Sequence, residues 1–157
     1  MDEKIYKRDK RSPVPKNPTV SKVMSRIKGK NTKPELILRK YLWSNGIRGY
    51  RLNVKNLPGK PDMVFTKSKV AIFIHGCYWH GCEICGWKAP KHNTEYWVNK
   101  IGKNKARDNV NKEKLEELGF IVLTLWEHEI KGGMIDLLEK LRAHIKRSKI
   151  GSRTSIT

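Results

Sequence analysis

The sequence predicts one α/β domain, a mixed central β-sheet flanked by helices, and three observations carry that prediction. Amphipathic stretches and apolar runs follow one another in the order helix, helix, strand, strand, strand, helix, strand, helix. One connection between strands is hairpin-sized and another is helix-sized, which calls for both antiparallel and parallel pairs. A chain of 157 residues, 38% hydrophobic and 31% charged, suffices for a single core that buries roughly 70% of the unfolded surface.

Residues 1–18 carry six basic residues, three acidic ones and Pro13, Pro15 and Pro18, without apolar periodicity, and are expected to form a flexible basic N-terminal arm. A single domain is expected over 19–147. It opens with a short helix over 19–30, with Thr19 or Ser21 as N-cap, Gly29 near its end, and Val23, Met24 and Ile27 along it. Thr32-Lys33-Pro34-Glu35 is a capping-box pattern with Pro in the first turn, and it starts a helix that runs through Leu38 and Leu42 to Asn45-Gly46. Tyr50 to Val54 alternates like a half-buried strand, and Leu57-Pro58-Gly59-Lys60-Pro61 is a turn that cannot continue it.

Asp62 to Phe65 and Val70 to Ile74 are the next two strands, joined as a hairpin by Thr66-Lys67-Ser68-Lys69. His75 emerges where the second of them ends. A helix from about Thr94 to Leu118, closed by Gly119, leads to a buried strand from Phe120 to Trp126. Met134 to Ile145 is a last amphipathic helix, and 148–157 a basic C-terminal tail without acids.

Composition narrows the functional classes. The 34 Lys and Arg against 15 Asp and Glu give a net charge of +19, a field that attracts polyanions, and phosphate neutralisation supplies most non-specific nucleic-acid affinity. Surface solubility alone rarely needs so large an imbalance. No apolar run approaches the ~20 residues that span a bilayer, no long basic amphipathic helix suits a membrane surface, and Met1 to Arg8 lacks a signal-peptide pattern. A cytoplasmic protein without a membrane partner is expected.

Four constellations carry chemistry. In Gly59-Lys60-Pro61-Asp62 a rigid turn places a carboxylate at the start of a strand. Asp62 and the Ile74 backbone carbonyl, meeting across the hairpin, would suit a hard divalent cation such as Mg²⁺, as phosphodiester hydrolysis requires. Glu35 is explained by the capping box, yet a helix N-terminus over the strand ends could also present it to a metal-bound water. His75 and His80 titrate near neutral pH and suit general acid or base work, with zinc ligation as the competing reading.

The cysteines Cys77, Cys82 and Cys85 have C-x4-C-x2-C spacing, an odd number that disfavours a disulfide framework and supplies three ligands of a structural zinc site. His128, just past the last strand, is the expected fourth ligand, and His92 the rival. Tyr78-Trp79 lies in a polar loop and is either a wedge between base steps or a small core around the zinc. Trp97 and Met24 carry the same two readings.

These residues match a known family: from about Ser21 to Trp126 the chain resembles the very short patch repair (Vsr) DNA mismatch endonucleases. The resemblance is most specific at Leu57-Pro58-Gly59-Lys60-Pro61-Asp62, Ile72-Phe73-Ile74-His75-Gly76-Cys77-Tyr78-Trp79-His80 and Trp97-Val98-Asn99-Lys100-Ile101-Gly102-Lys103-Asn104. It implies a variant of the restriction-endonuclease fold with a structural zinc. The implied activity nicks one strand of duplex DNA 5′ of the T in a T:G mismatch, left by deamination of 5-methylcytosine.

It further implies that Asp62 is the magnesium-binding aspartate, that His75 and His80 are active-site histidines, and that Glu35 is the acidic residue on the N-terminal helix. Cys77 and Cys82 take zinc positions, while Tyr78, Trp79, Trp97 and Met24 match the side chains that intercalate at the mismatch. The chain departs from the family where Ile74 replaces a possible Thr and keeps only its carbonyl. It departs again where Gly81-Cys82-Glu83-Ile84-Cys85 replaces a histidine-rich run, and where His128 stands in for a Cys. A monomer is expected, with other repair proteins as further partners. The rivals are a zinc-containing DNA-binding module without catalysis and an endonuclease of a restriction system that cuts unmismatched DNA.

Overall fold

The computed structural model describes residues 14–27 and 29–151. Most of the expected N-terminal arm and the last six residues of the expected tail lie outside them. The elements are α1 (Pro18–Ser25), α2 (Lys33–Ser44), β1 (Arg51–Leu52), β2 (Met63–Phe65), β3 (Val70–His75), α3 (Thr94–Glu117), β4 (Ile121–Trp126), α4 (Glu127–Gly132) and α5 (Ile135–Gly151).

The four strands form one mixed sheet in the order β1-β2-β3-β4. The β1–β2 and β2–β3 pairs are antiparallel and β3–β4 is parallel, as a hairpin followed by a crossover helix demands. The parallel register sets Ile74 opposite Leu125 and His75 opposite Trp126.

Strand alternation divides the side chains between two faces. Met63, Phe65, Val70 and Ile72 pack with Leu38 and Leu42 of α2 and Leu137, Leu138 and Leu141 of α5 in the main core, with Ile74 and Leu125 against it. Val64 and Ala71 are equally buried but point to the opposite face. The same alternation turns the Ile74 side chain toward the core and His75 away from it. The buried residues of α3, Trp97, Ile101 and Leu115, belong to neither helix pair of that core.

Several boundaries differ from expectation. Helix α1 ends at Ser25 and is capped by Asn17, whose side chain accepts the Val20 N–H at 2.9 Å, because neither Thr19 nor Ser21 precedes the first turn. Strand β1 shrinks to two residues, since Asn53 takes a left-handed φ of 48°. Its N–H donates to the Asp62 carbonyl, so Asp62 sits just before β2. Helix α4 is absent from the expected order, and α5 continues through Gly151 into the segment read as a tail.

Candidate active site and metal centre

A broad open cleft of about 1580 Å³ runs between α2, the turn before β2, the end of β3 and the middle of α3. Glu35, Asp62, Ile74, His75 and His80 all line it, so the structure brings together every residue expected at the catalytic centre. Lys33, Lys55, Lys60, Lys105, Arg107 and Lys112 line it as well. With Arg26 this makes seven cations among the lining residues, a field that favours a polyanion.

Asp62 reaches across the hairpin, and one carboxylate oxygen accepts the Ile74 N–H at 2.7 Å. Burial pushes its carboxyl up to about 6, against the lowering effect of that bond, and the nearby Glu35 adds to the rise. A half-buried carboxylate held off its ordinary value, with its second oxygen uncommitted to that bond, fits a hard cation. Glu35 is 5% exposed and bonded at both oxygens. One accepts the Thr32 hydroxyl at 2.9 Å, the other the Asn31 N–H at 3.0 Å and the Arg39 guanidinium at 3.1 Å. The expected capping box is therefore not formed: Glu35 accepts the Asn31 N–H rather than that of the N-cap Thr32, and Thr32 spends its hydroxyl on Glu35 and caps no backbone N–H.

His75, the last residue of β3, and His80 stack with ring centroids 3.9 Å apart and planes 5° from parallel. Burial, reinforced by His80, pulls the His75 imidazole down to about 4, so it is neutral at physiological pH. His80 Nδ1 lies 2.5 Å from an Asp108 carboxylate oxygen, while His75 Nε2 is 4.0 Å from the same oxygen. With Nδ1–H donating to that carboxylate, Nε2 is the ring nitrogen left outside the bond. These three side chains could be read as a metal triad, but two stacked parallel imidazoles cannot both aim an in-plane lone pair at one ion. Such an arrangement can serve proton transfer.

Asp108 escapes the sequence reading, although a signal for it exists. Trp97, Ile101, Asp108 and Leu115 fall at i, i+4, i+11 and i+18 on α3, one stripe, in which an acid takes a position otherwise buried and apolar. That stripe faces the side of the sheet on which strand alternation puts His75.

Cys77, Cys82, Cys85 and His128 form a second cluster. The three sulfurs lie 3.3, 3.6 and 3.4 Å from His128 Nδ1. A tetrahedral zinc with S and N ligands has such edges of about 3.5 Å, so the donor set fits a metal such as zinc. Helix α4, starting directly after β4, is what carries His128 into the cluster. His92 instead lies against the Val14 carbonyl. The loop carrying the cysteines lies on α3 at Gly81, whose φ is 63° and where a Cβ would meet Ile101 at 2.6 Å and Lys105 at 2.7 Å.

Between the two clusters, Tyr78, Trp79 and Trp97 pack edge to face or tilted, with centroids 5.3–5.6 Å apart. The Trp79 carbonyl accepts from Asn104 of α3 at 2.9 Å. Trp97 is buried, so in this structure these residues form a small core beside the cysteine cluster. Met24 is separate from them in character: it is 37% exposed on α1, a helix that buries no residue.

The comparisons with known proteins agree with this geometry. Residues 6–85 match the family described as DNA mismatch endonuclease Vsr. The chain is 45% identical over 126 residues to the type II nicking enzyme V.NmeAIP of Neisseria meningitidis serogroup A, covering 79% of this chain and 89% of that protein. It is 41% identical over 110 residues to the type II nicking enzyme V.XorIIP of Xanthomonas oryzae pv. oryzae, covering 69% and 79%. To the DNA mismatch endonuclease Vsr of Escherichia coli K12 it is 40% identical over 114 residues, covering 73% and 72%. The chain belongs to the Vsr family of DNA endonucleases.

Proposed function

We propose that this chain is a Mg²⁺-dependent endonuclease that, as a monomer, nicks one strand of duplex DNA 5′ of the T in a T:G mismatch arising from 5-methylcytosine deamination, and so starts very short patch repair. The observation that carries the reading is the meeting of Asp62 with the end of β3, beside the stacked His75 and His80 on the floor of a cationic cleft. The sheet with its carboxylate-bearing hairpin is read as a variant of the restriction-endonuclease fold.

In this account Asp62 and the Ile74 carbonyl hold Mg²⁺, which when bound supplies charge neutralisation at the scissile phosphate and the leaving oxygen. His80, its tautomer fixed by Asp108, takes up or returns a proton through Nε2. His75, neutral and buried, hydrogen-bonds a phosphate oxygen, and Glu35 orients a water. Cys77, Cys82, Cys85 and His128 hold a structural Zn²⁺. With zinc bound, these ligands would tie down the loop from which Tyr78 and Trp79, with Trp97 behind them, enter the base stack where a mismatch makes unstacking least costly; Met24 approaches from α1.

The test is nicking by wild type, Asp62→Ala and His80→Ala, with Mg²⁺ present or chelated. Loss of nicking with retained DNA binding supports the reading. Persistent cutting in chelator contradicts it.

A second reading differs in substrate rather than chemistry. Several relatives carry the name type II nicking enzyme, so the chain would serve a restriction system at its own flanking sequence. Nicking across a library of mismatch contexts separates the two: a mismatch required in every context supports repair, and cutting of matched duplexes supports restriction.

A further inference from the structure

We propose that Arg39 is a positioning residue for catalysis, holding the Glu35 carboxylate in one orientation toward the cleft from behind. The inference rests on the water-orienting role proposed above for Glu35.

Glu35 and Arg39 stand one helical turn apart on α2, a spacing that on an exposed helix face yields only a weak ion pair. Here the pair is not exposed: the side chains keep 6% and 19% of their accessible surface. Arg39 also makes a second bond from its other terminal nitrogen, to Asn31 Oδ1 at 2.8 Å. Asn31 in turn donates its N–H to the same Glu35 oxygen that Arg39 contacts. Guanidinium, carboxylate and Asn31 therefore close a ring. Its geometry depends on Asn31 adopting a left-handed φ of 52°, uncommon for a residue with a Cβ though tolerated by Asn.

The ring has a consequence for the site. Two donors occupy Glu35 Oε2 and a single hydroxyl, from Thr32, occupies Oε1, so Oε1 keeps the larger acceptor capacity. Asn31, Thr32 and Glu35 line the cleft together with Asp62, whereas Arg39 is not among the residues of its wall. Arg39 thus contacts the cleft through Glu35 and Asn31, and beyond that contributes only the least of the influences on the Asp62 carboxyl. A planar fork that binds Glu35 and Asn31 at once fixes the rotation of the carboxylate, which a lysine, a single point donor, does not.

The experiment measures single-turnover nicking by the full chain on the duplex that the wild type cuts. The variants are Arg39→Met, Glu35→Gln, the double variant and Arg39→Lys. Arg39→Met is expected to lower the rate at saturating DNA and Mg²⁺ on the order of 10- to 100-fold, the scale of a misplaced catalytic group. The half-saturating DNA concentration should stay within about twofold. In the Glu35→Gln background the same substitution should cost nothing more, and Arg39→Lys should recover part of the rate.

Losses that multiply in the double variant, a loss confined to DNA affinity, or a wild-type rate in Arg39→Met would overturn the proposal while leaving the role of Glu35 standing. A wild-type rate in Glu35→Gln would overturn both, and only that result does so. Should Arg39→Met fail to fold with its buried carboxylate left short of a partner, Arg39→Lys in the two backgrounds carries the same comparison. A loss with Glu35 intact and none in the Glu35→Gln background supports the proposal, and equal losses contradict it.

Discussion

Asp108 bonds His80 Nδ1 and lies 4.0 Å from His75 Nε2, and in the proposed mechanism it orients the proton-transfer ring. Asp108→Ala is expected to lower the nicking rate roughly 10- to 100-fold, as loss of a partner that orients a proton-transfer group does. DNA affinity should not fall, since one negative charge leaves a chain of +19; an unchanged rate would contradict the assignment. Asp62 supports a prediction of opposite character. Its carboxyl is raised from 3.8 to about 6, chiefly by burial, so between those values the folded chain holds the proton more tightly than the unfolded one. Metal-free stability therefore falls as pH rises from about 4 to about 6 and stays low above it. Asp62→Asn should make the metal-free protein more stable at pH 7 by about 1–3 kcal/mol, with no gain near pH 3, in denaturant titrations. At this scale the sequence is informative where a motif concentrates the chemistry, at Asp62, His75 and His80. At Asp108 it offers only an acid within an apolar stripe, whose meaning depends on which face of α3 meets the sheet.

Helix α3 and the cysteine loop act as one unit, joined where Gly81 touches Ile101 and where Asn104 binds the Trp79 carbonyl. Gly81→Ala combines a left-handed φ with a Cβ 2.6 Å from Ile101 and is expected to destabilise by roughly 1–3 kcal/mol. Measured zinc content should fall along with the melting temperature; unchanged values of both would show that the loop has other room. His128→Ala should likewise lower zinc content and stability together, because a three-ligand remnant holds zinc more weakly. Hydrophobic periodicity foretells α2, α3, β3 and β4 closely, since each presents a long apolar pattern to the core. It misses α4, six residues with only Ile130 buried, and overstates β1, where a left-handed Asn53 stops the ladder. The partnership of His128 with the cysteines is legible from donor count and the end of β4, although the helix that delivers it is not.

The chain is strongly cationic, and no helix among its described residues is long and apolar enough to cross a membrane. With +19 overall and seven Lys and Arg residues lining the cleft, duplex binding should weaken steeply with salt. A log–log slope of about −5 or steeper is expected in binding titrations, close to 0.9 per phosphate neutralised; a slope near zero would remove the cleft from the DNA interface. Net charge announces a polyanionic partner from composition alone. Substrate identity is not legible that way, because in the proposed reading it depends on how readily the duplex deforms around Tyr78, Trp79 and Trp97. The most direct test is strand-resolved nicking of two otherwise identical duplexes, one with a T:G pair and one with T:A, each with Mg²⁺ and with chelator. A single nick 5′ of the mismatched T, in Mg²⁺ only, is the predicted result; equal cutting of the T:A duplex, or cutting in chelator, would contradict it.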